Sequence, residues 1–243
     1  MHAIIPAAGR GTRMAAVTGG RPKELLTLGG RTILERVVQE AEEIGCARIV
    51  IVNAPGKPEI DAFVLERYGQ PNPRVEVRYQ KSMRGLADAV ASACLAEDAV
   101  VLLGDTVMAP RSPARRLADA LRQGAFAAVA TETVPDDEVS RYGIVEAESG
   151  AVRRILEKPD PGETTSRQAV ASRFALSGRA LTELAEFVRD WHAAREVTLS
   201  DFLSQAIGRG EPVAAVPLGG DENRVDCGTP EEYASAKELP WWS

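Results

Sequence analysis

The chain has few of the residues that build thiolate metal centres or disulfide frameworks. Three cysteines and two histidines are present among 243 residues. Cys46, Cys94 and Cys227 lie far apart without a CxxC pair, and His2 and His192 are equally scattered. A zinc site is therefore not expected, and we interpret the cysteines as buried free thiols in a reducing cytosol.

Long apolar runs and an excess of positive charge are missing as well. No run approaches the roughly 20 residues that cross a bilayer, and the short apolar start lacks the basic flank of a secretion signal. We therefore expect a cytoplasmic protein that has no membrane as a partner. The net charge of −6 argues against nucleic acid as a partner.

What the chain does show is a regular alternation of apolar and helical stretches through its first half. Strands are predicted at 2–7, 48–52, 75–79, 99–103 and 126–133, and helices at 32–44, 58–67, 86–95 and 113–122. This alternation predicts an α/β fold in which a mostly parallel sheet carries helices on both faces.

The pattern changes after Tyr142. Stretches at 144–148 and 152–157 flank Ser149-Gly150 and predict a hairpin. Beyond it we expect a polar loop at 159–166, helices at 178–193 and 199–207, a strand at 213–217 and a helix from Pro230 onward. No repeat or linker separates two independent parts, so we expect one domain over residues 1–243.

A glycine-rich turn, Ala8-Gly9-Arg10-Gly11-Thr12-Arg13-Met14, follows the first predicted strand. Glycines there let the backbone turn sharply and bring its N–H groups against phosphate oxygens, and open α/β sheets bind ligands at that end. The Rossmann fingerprint would need a third glycine where Met14 stands, and no GK[ST] of a P-loop follows.

Basic side chains surround this turn. Arg10, Arg13, Arg21 and Lys23 lie close together in sequence, with Glu24 as the nearest opposing charge. A guanidinium group grips phosphate oxygens in a fork, and lysine acts as a mobile point charge. The residues alone therefore favour phosphate binding over a turn with merely solvated side chains.

Two further polar residues have two interpretations each. Asp105 follows the strand at 99–103, where a carboxylate would serve Mg²⁺ if a second acid joined it or would cap a turn. Gln80 could match the imide edge of a pyrimidine or lie on the surface, and Asp88 reads as a solvated residue on a helix. Thr229-Pro230 is a good helix start, which leaves the preceding Asp226 without a structural role.

A resemblance gives these residues a common meaning. Gly9-x-Gly11-Thr12-Arg13-Met14 with Pro22-Lys23-Glu24-Leu25-Leu26 resembles the signature of bacterial sugar-1-phosphate nucleotidyltransferases. The likeness is closest to the UTP–glucose-1-phosphate uridylyltransferases, whose opening also tends to carry a proline, as at Pro6. The resemblance implies a three-layer, Rossmann-like, mixed sheet with a small β-rich sugar-binding subregion.

The same resemblance divides the domain and its ligands. It implies a nucleotide-binding part at about 1–133, a sugar-phosphate-binding part at about 134–230 and a C-terminal helix at about 230–239. The nucleotide would contact Ala8, Gly9, Gly11, Thr12, Arg13, Lys23, Gln80 and Gly85. The sugar phosphate would contact Tyr142, Gly143, Glu157, Lys158 and Val170.

The implied reaction joins UTP or dTTP to a sugar 1-phosphate, most simply glucose 1-phosphate, by in-line displacement of pyrophosphate. Asp226-Cys227-Gly228 resembles the motif whose aspartate joins the acid after the central strand in holding Mg²⁺, so Asp105 and Asp226 are the implied metal ligands. The implied catalytic residues are Arg13, Lys23, Asp105, Lys158 and Asp226. The resemblance leaves a homo-oligomer open, and the shortness of this chain relative to typical members puts the usual oligomer contacts in doubt.

Other readings remain at this point. Within the family, a glucose-1-phosphate thymidylyltransferase or an N-acetylmuramate-1-phosphate uridylyltransferase would share these motifs, and Leu103-Gly104-Asp105 leans toward the thymidylyltransferases. A nicotinamide dehydrogenase would need the missing glycine and an acid after the second strand. A non-catalytic sugar-nucleotide sensor could dispense with the two acids.

Overall fold

A computed structural model describes residues 1–69, 72, 74–160 and 162–242. Pro161, within the predicted loop at 159–166, lies outside the described residues. The strands are β1 His2–Pro6, β2 Thr27–Leu28, β3 Arg31–Thr32, β4 Ile49–Asn53, β5 Val75–Tyr79, β6 Ala99–Leu102, β7 Thr106–Pro110, β8 Ala127–Thr133, β9 Gly143–Glu148, β10 Ala151–Glu157, β11 Gln168–Leu176, β12 Val213–Pro217 and β13 Glu222–Asp226.

Eight α-helices and four short 3₁₀ segments complete the described structure. The α-helices are α1 Ala15–Thr18, α2 Ile33–Glu43, α3 Pro58–Tyr68, α4 Leu86–Ala91, α5 Ala114–Arg122, α6 Gly178–Arg189, α7 Leu199–Gly208 and α8 Pro230–Lys237. The 3₁₀ segments are Thr12–Met14, Lys23–Leu25, Asp136–Arg141 and Pro240–Trp242. None of the helices in the described ranges has the length and apolar character that crossing a membrane requires.

A nine-stranded sheet in the order β5-β4-β1-β6-β11-β8-β12-β10-β9 forms the centre of the molecule. Seven strands run in one direction, and only β10 and β11 run against them. Helices α2, α3 and α5 pack on one face, and α4, α6 and α7 on the other. The prediction of a three-layer α/β fold with a mixed sheet is confirmed.

The helix boundaries follow from local sequence signals. Thr32 caps α2 by accepting a hydrogen bond from the backbone N–H of Glu35, whose side chain accepts one from the Thr32 N–H in return. This reciprocal capping box satisfies two backbone donors that a helix start leaves open. Gly45, with φ +79°, follows the end of α2 in the left-handed conformation that glycine adopts at low cost.

The β-rich subregion arises because the far edge of the sheet curls back on itself. Strands β9 and β10 form the predicted hairpin, with Gly143 opposite Glu157. Strand β9 also pairs with the start of β11, where Ala169 faces Ile144. Strands β11, β8, β12, β10 and β9 therefore form a closed curl beside the open part of the sheet.

Five strands were not expected from the sequence, among them the two-residue strands β2 and β3. The stretch that forms β11 looks interrupted because Ser172 and Arg173 break its apolar pattern, yet β11 lies at the centre of the sheet between β6 and β8. Strand β11 contains a bulge: Val170 pairs with Thr131 and Phe174 with Val129, so β11 has two more residues between these pairs than β8 has. The ribbon of β7 and β13 was also missed, because both strands are short and β13 is largely polar. Helix α4 ends at Ala91, earlier than expected.

Arg173 explains why β11 carries a charge. Its side chain has no exposed surface, and its Nε and Nη2 atoms donate to the two carboxylate oxygens of Glu40 at 2.8 and 2.6 Å. Nη2 also donates to the carbonyl of Thr106 at 2.8 Å. A bidentate pair of this kind satisfies both charges inside the protein, and it joins α2, β11 and β7 at one point.

Replacing Glu40 alone should be costly. We expect Glu40→Leu to lower the free energy of unfolding by about 3–5 kcal/mol, because it leaves the Arg173 guanidinium buried without its carboxylate. The double variant Glu40→Leu/Arg173→Met should regain much of that loss. Denaturant unfolding measures both, and Glu42→Gln on the exposed face of α2 is the control, expected to stay within about 0.5 kcal/mol. A Glu40→Leu variant as stable as this control would contradict a buried ion pair.

Candidate active site

A cleft of about 730 Å³ opens where β1 and β6 end. It is lined by the glycine-rich turn, the start of α4 and the residues after β6. The lining residues are Pro6, Ala8, Gly9, Arg10, Gly11, Thr12, Arg13, Lys23, Glu24, Gln80, Met83, Gly85, Leu86, Ala89, Leu103, Asp105, Glu196 and Gly228. All eight residues predicted to bind the nucleotide are among them.

The glycine-rich turn is shaped by its own sequence. Gly11 has φ +63°, a left-handed conformation that side chains disfavour. Met14 is fully buried and packs with the cluster that covers the β7–β13 ribbon, so the turn is anchored in apolar packing where a Rossmann turn has glycine. The side chains of Arg10 and Arg13 form no ion pair with any described residue and remain exposed to the cleft.

A second anchor holds the beginning of the turn. Lys57 donates to the carbonyl oxygen of Ala7 at 2.8 Å and to both carboxylate oxygens of Glu24 at 3.2 and 3.1 Å. Burial raises the pKa of Glu24, and the charge of Lys57 opposes that shift. The turn and the Pro22-Lys23-Glu24 segment are therefore tied together by a largely buried lysine.

The two acids that the sequence singles out lie side by side. Asp226 is opposite Thr106 in the β7–β13 ribbon, and the backbone N–H of Cys227 donates to the Asp105 carbonyl at 3.1 Å. The Thr106 hydroxyl lies 3.1 Å from Oδ1 of Asp226 and 3.5 Å from Oδ1 of Asp105. Gly104 lets the chain after β6 lie against the end of β1, since a Cβ there would come within 2.8 Å of the Pro6 carbonyl oxygen.

A cation flanks each of these carboxylates. Lys23 forms an ion pair with Asp105. Burial acts to raise the pKa of Asp105, but the charge and hydrogen bond of Lys23, together with a backbone hydrogen bond and the charge of Arg173, outweigh it and leave the pKa below its ordinary value. Arg224 donates to Oδ2 of Asp226 at 2.7 Å. Burial nonetheless raises the pKa of Asp226, opposed by Arg224 and reinforced by the neighbouring charge of Asp105.

The chemistry of this pair fits magnesium. Two carboxylates supply hard oxygen donors, and magnesium commonly takes one or two of these together with substrate phosphates. Among the described residues, no group of three or more His, Cys, Asp or Glu side chains could form a self-contained metal site. Asp105 and Asp226 therefore suit an ion that arrives with phosphate ligands, and their role as metal ligands stays a prediction.

The end of the cleft around Gln80 corrects one expectation. Asp88 is not a solvated residue: only 6% of its surface is exposed, and Gln80 is also buried. Asp88 accepts hydrogen bonds from Gln80 and Arg84. Gly85 is required by packing, since its φ is +118° and a Cβ would lie 2.4 Å from the Val197 carbonyl.

The residues predicted to bind the sugar phosphate come together beside the cleft. Tyr142-Gly143 lies opposite Glu157-Lys158, and the Lys158 N–H donates to the Tyr142 carbonyl at 3.1 Å. A Cβ on Gly143 would lie 3.2 to 3.4 Å from Glu157, Ser200 and Val170. None of the five predicted residues lines the 730 Å³ cleft itself.

Arg224 connects the sugar side with the acids. Its guanidinium lies 4.5 Å from the ring centre of Tyr142 while it pairs with Asp226 and Glu132. The sequence alone indicates no role for Arg224, Thr106 or Ser200. A period of two along β13 would have placed Arg224 on the same face as Asp226, whereas no signal in the sequence pointed to Ser200.

A mixed α/β sheet with a cleft at the carboxyl ends of its strands is the arrangement in which such proteins bind nucleotides. Residues 2–239 match the family model described as Nucleotidyl transferase. The chain therefore belongs to the nucleotidyl transferase family, and within it to the sugar-1-phosphate nucleotidyltransferases, as the motifs predicted.

Similar proteins carry more specific names. A UTP–glucose-1-phosphate uridylyltransferase of Mycoplasma pneumoniae is 31% identical, and the alignment covers 96% of this chain and 90% of the relative. A UTP-bound UGPase from Acinetobacter baumannii shares the fold with a TM-score of 0.82 and 26% identity over 98% of this chain and 94% of that one. A UDP-glucose pyrophosphorylase complexed with UDP-glucose gives a TM-score of 0.82 and 25% identity, with 98% and 97% coverage.

The thiols give a simple test of the packing behind the acids. Burial raises the pKa of Cys46 to about 11 and that of Cys227 to about 12, whereas Cys94 is exposed, contrary to expectation. At pH 8 a thiol with a pKa of 11 to 12 is ionised to only about one part in 10³ to 10⁴. A disulfide reagent should therefore modify one thiol in the native protein and three after denaturation.

Cys94→Ser is the matched control and should abolish the native reaction. Rapid modification of Cys227 in the folded protein would show that the turn after Asp226 is open to solvent.

Proposed function

We propose that this protein is a UTP–glucose-1-phosphate uridylyltransferase. The observation that supports the proposal best is the meeting of Asp105 and Asp226 across the β7–β13 ribbon, at the cleft that holds the glycine-rich turn. A sugar-nucleotide sensor would not need two neighbouring acids there. The 31% identical relative bears the name of this activity, and the alignment covers 90% of its length.

The triphosphate would lie along the glycine-rich turn. Arg10 and Arg13 have no partner among the described residues and face the cleft, so their guanidinium groups are available to phosphate oxygens. A Cβ on Gly228 would lie 3.6 Å from Nη2 of Arg13, which places this guanidinium next to the Asp226-Cys227-Gly228 turn. Arg13 would therefore stabilise the charge that grows on pyrophosphate, and Lys23 would hold the triphosphate.

The sugar phosphate would enter from the side of the hairpin. Lys158 is exposed, and its ammonium group would bind the 1-phosphate. Glu157 would accept hydrogen bonds from sugar hydroxyls, with Val170 and the Tyr142-Gly143 backbone forming the wall beside it. Gly143 keeps this wall open, because Glu157, Ser200 and Val170 already surround the position of its missing side chain.

The reaction that this arrangement suits is a direct in-line displacement. An oxygen of the sugar 1-phosphate would form a bond to the α-phosphorus while the bond from that phosphorus to the pyrophosphate oxygen breaks. Both reactants are anions, so neutralisation and positioning of charge supply most of the catalysis. No general base is needed, because the attacking phosphate oxygen is already ionised at neutral pH.

Asp105 and Asp226 would hold Mg²⁺, which supplies charge neutralisation at the reacting phosphate when bound. We also propose the cytoplasm as the place of action, where nucleoside triphosphates are available. The competing assignment is dTTP in place of UTP, because Gln80 and Gly85 would face an imide edge that uracil and thymine share.

A grid of substrates tests the assignment. UTP, dTTP, CTP, GTP and ATP would each be combined with glucose 1-phosphate and several other sugar 1-phosphates, and pyrophosphate release would be followed. We expect the highest kcat/KM for UTP with glucose 1-phosphate. A preference for dTTP or for another sugar phosphate would change the assignment within the family, and no turnover with any pair would refute an enzyme.

Removing one acid should stop the reaction without unfolding the protein. We expect Asp226→Asn to lower kcat by about 100-fold or more, because a neutral amide is a poor ligand for the ion that neutralises phosphate charge. Pyrophosphate release at saturating magnesium, measured beside a thermal melt, checks this. Asp221→Asn, at an exposed residue shortly before β13, is the control and should keep full activity. Near-normal turnover by Asp226→Asn would remove this residue from the metal site.

A further inference from the structure

The amide of Gln80 is held in a single orientation by the residues behind it. Nε2 of Gln80 donates to the carbonyl of Gly85 at 3.0 Å and to Oδ2 of Asp88 at 2.8 Å. These two bonds use both of its N–H groups. A flipped amide would set its own oxygen against a carbonyl and a carboxylate, so chemistry fixes which end of the amide points inward.

Asp88 is in turn fixed by Arg84. The Nε and Nη2 atoms of Arg84 donate to Oδ1 of Asp88 at 3.2 and 2.8 Å, and Nη1 donates to the carbonyl of Val188 at 3.1 Å. One carboxylate oxygen of Asp88 is therefore held by Arg84, and the other is left for Gln80. The Asp88 side of this pair is largely buried. Through Asp88 and Arg84, hydrogen bonds connect Gln80 to the end of α6.

What remains of the Gln80 amide is an acceptor. Its Oε1 atom receives no hydrogen bond from the described residues, and Gln80 lines the cleft. Uracil and thymine carry an N–H at ring position 3, which an acceptor matches. Cytosine carries a ring-nitrogen lone pair there, and adenine carries one on its pairing edge, so each would set acceptor against acceptor.

We propose that Asp88 is a positioning residue that determines base specificity, by locking Gln80 so that the cleft accepts a nucleotide base with an imide N–H and rejects cytosine. The inference rests on the proposed function, which places the base at Gln80, and extends it to a residue that does not touch the nucleotide. The lock does not distinguish uracil from thymine, so UTP and dTTP should respond to its loss in the same way.

The experiment measures kcat/KM for UTP and CTP with glucose 1-phosphate in the wild type and in Asp88→Asn. The replacement amide keeps one oxygen, which the Arg84 guanidinium attracts, so that an NH₂ group faces Gln80 and donor meets donor. The Gln80 amide then loses its preference for one orientation. We expect the UTP-to-CTP ratio to fall by about tenfold or more, whereas a merely structural defect would lower both values alike and leave the ratio unchanged.

A double-mutant cycle shows whether Asp88 acts through Gln80. In a Gln80→Leu background, Asp88→Asn should change the UTP-to-CTP ratio by less than about twofold. An equal drop in both backgrounds would overturn the proposal. Asp119→Asn, at a partly exposed acid of α5 that also pairs with a nearby arginine, is the matched control and should leave the ratio at the wild-type value.

Equilibrium binding separates this inference from the proposed function. Calorimetry with UMP, TMP and CMP on the wild type needs neither turnover nor a stable variant. Tighter binding of UMP and TMP than of CMP supports the lock even if no sugar phosphate reacts, a result that would overturn the proposed function alone. The lock would be overturned if UMP and CMP bound equally well, or if none of the three nucleotides bound at all.

Discussion

The buried ion pair between Arg173 and Glu40 is the contact on which the geometry of the cleft depends. Arg173 belongs to the middle of the sheet and Glu40 to a helix on one face, and the same guanidinium holds the carbonyl of Thr106. Thr106 follows Asp105 and lies opposite Asp226, so the positions of both acids depend on this buried ion pair. A pair of this kind adds little net stability compared with apolar packing, but it fixes where the groups around it lie.

Around that point, charge is distributed in two different ways. The acids have partners already: Asp105 pairs with Lys23, and Asp226 shares Arg224 with Glu132. The cations of the glycine-rich turn do not, since Arg10 and Arg13 reach the cleft unpaired among the described residues. A protein with a net charge of −6 can therefore attract a highly charged anion, because its free positive charge is concentrated where the sheet ends.

The sequence predicted those parts of the molecule that depend on neighbours along the chain. The strand that leads into Gly9, the cap at Thr32, the hairpin around Ser149-Gly150 and the start of the last helix all follow from local patterns. The strand around Arg173 does not, because a buried arginine looks like a break in an apolar run until its partner on α2 is known. Asp88 was misjudged for the same reason: Arg84 and Gln80 allow its burial, and only the folded structure shows them around it. Only the resemblance to a family predicts that Asp105 and Asp226 meet, because the residues between them carry no signal that predicts the β7–β13 ribbon.

The pairing of β7 with β13 also has a consequence in time. Residues 106–110 can form their ribbon only after residues 222–226 have been made. Closing a loop of this length has an entropic cost and tends to be slow. During synthesis, a chain that has emerged as far as α7 already possesses the glycine-rich turn, Gln80 and the first acid. It lacks Asp226, so the two acids that we propose as metal ligands come together only after residues 222–226 have been made and have paired with β7.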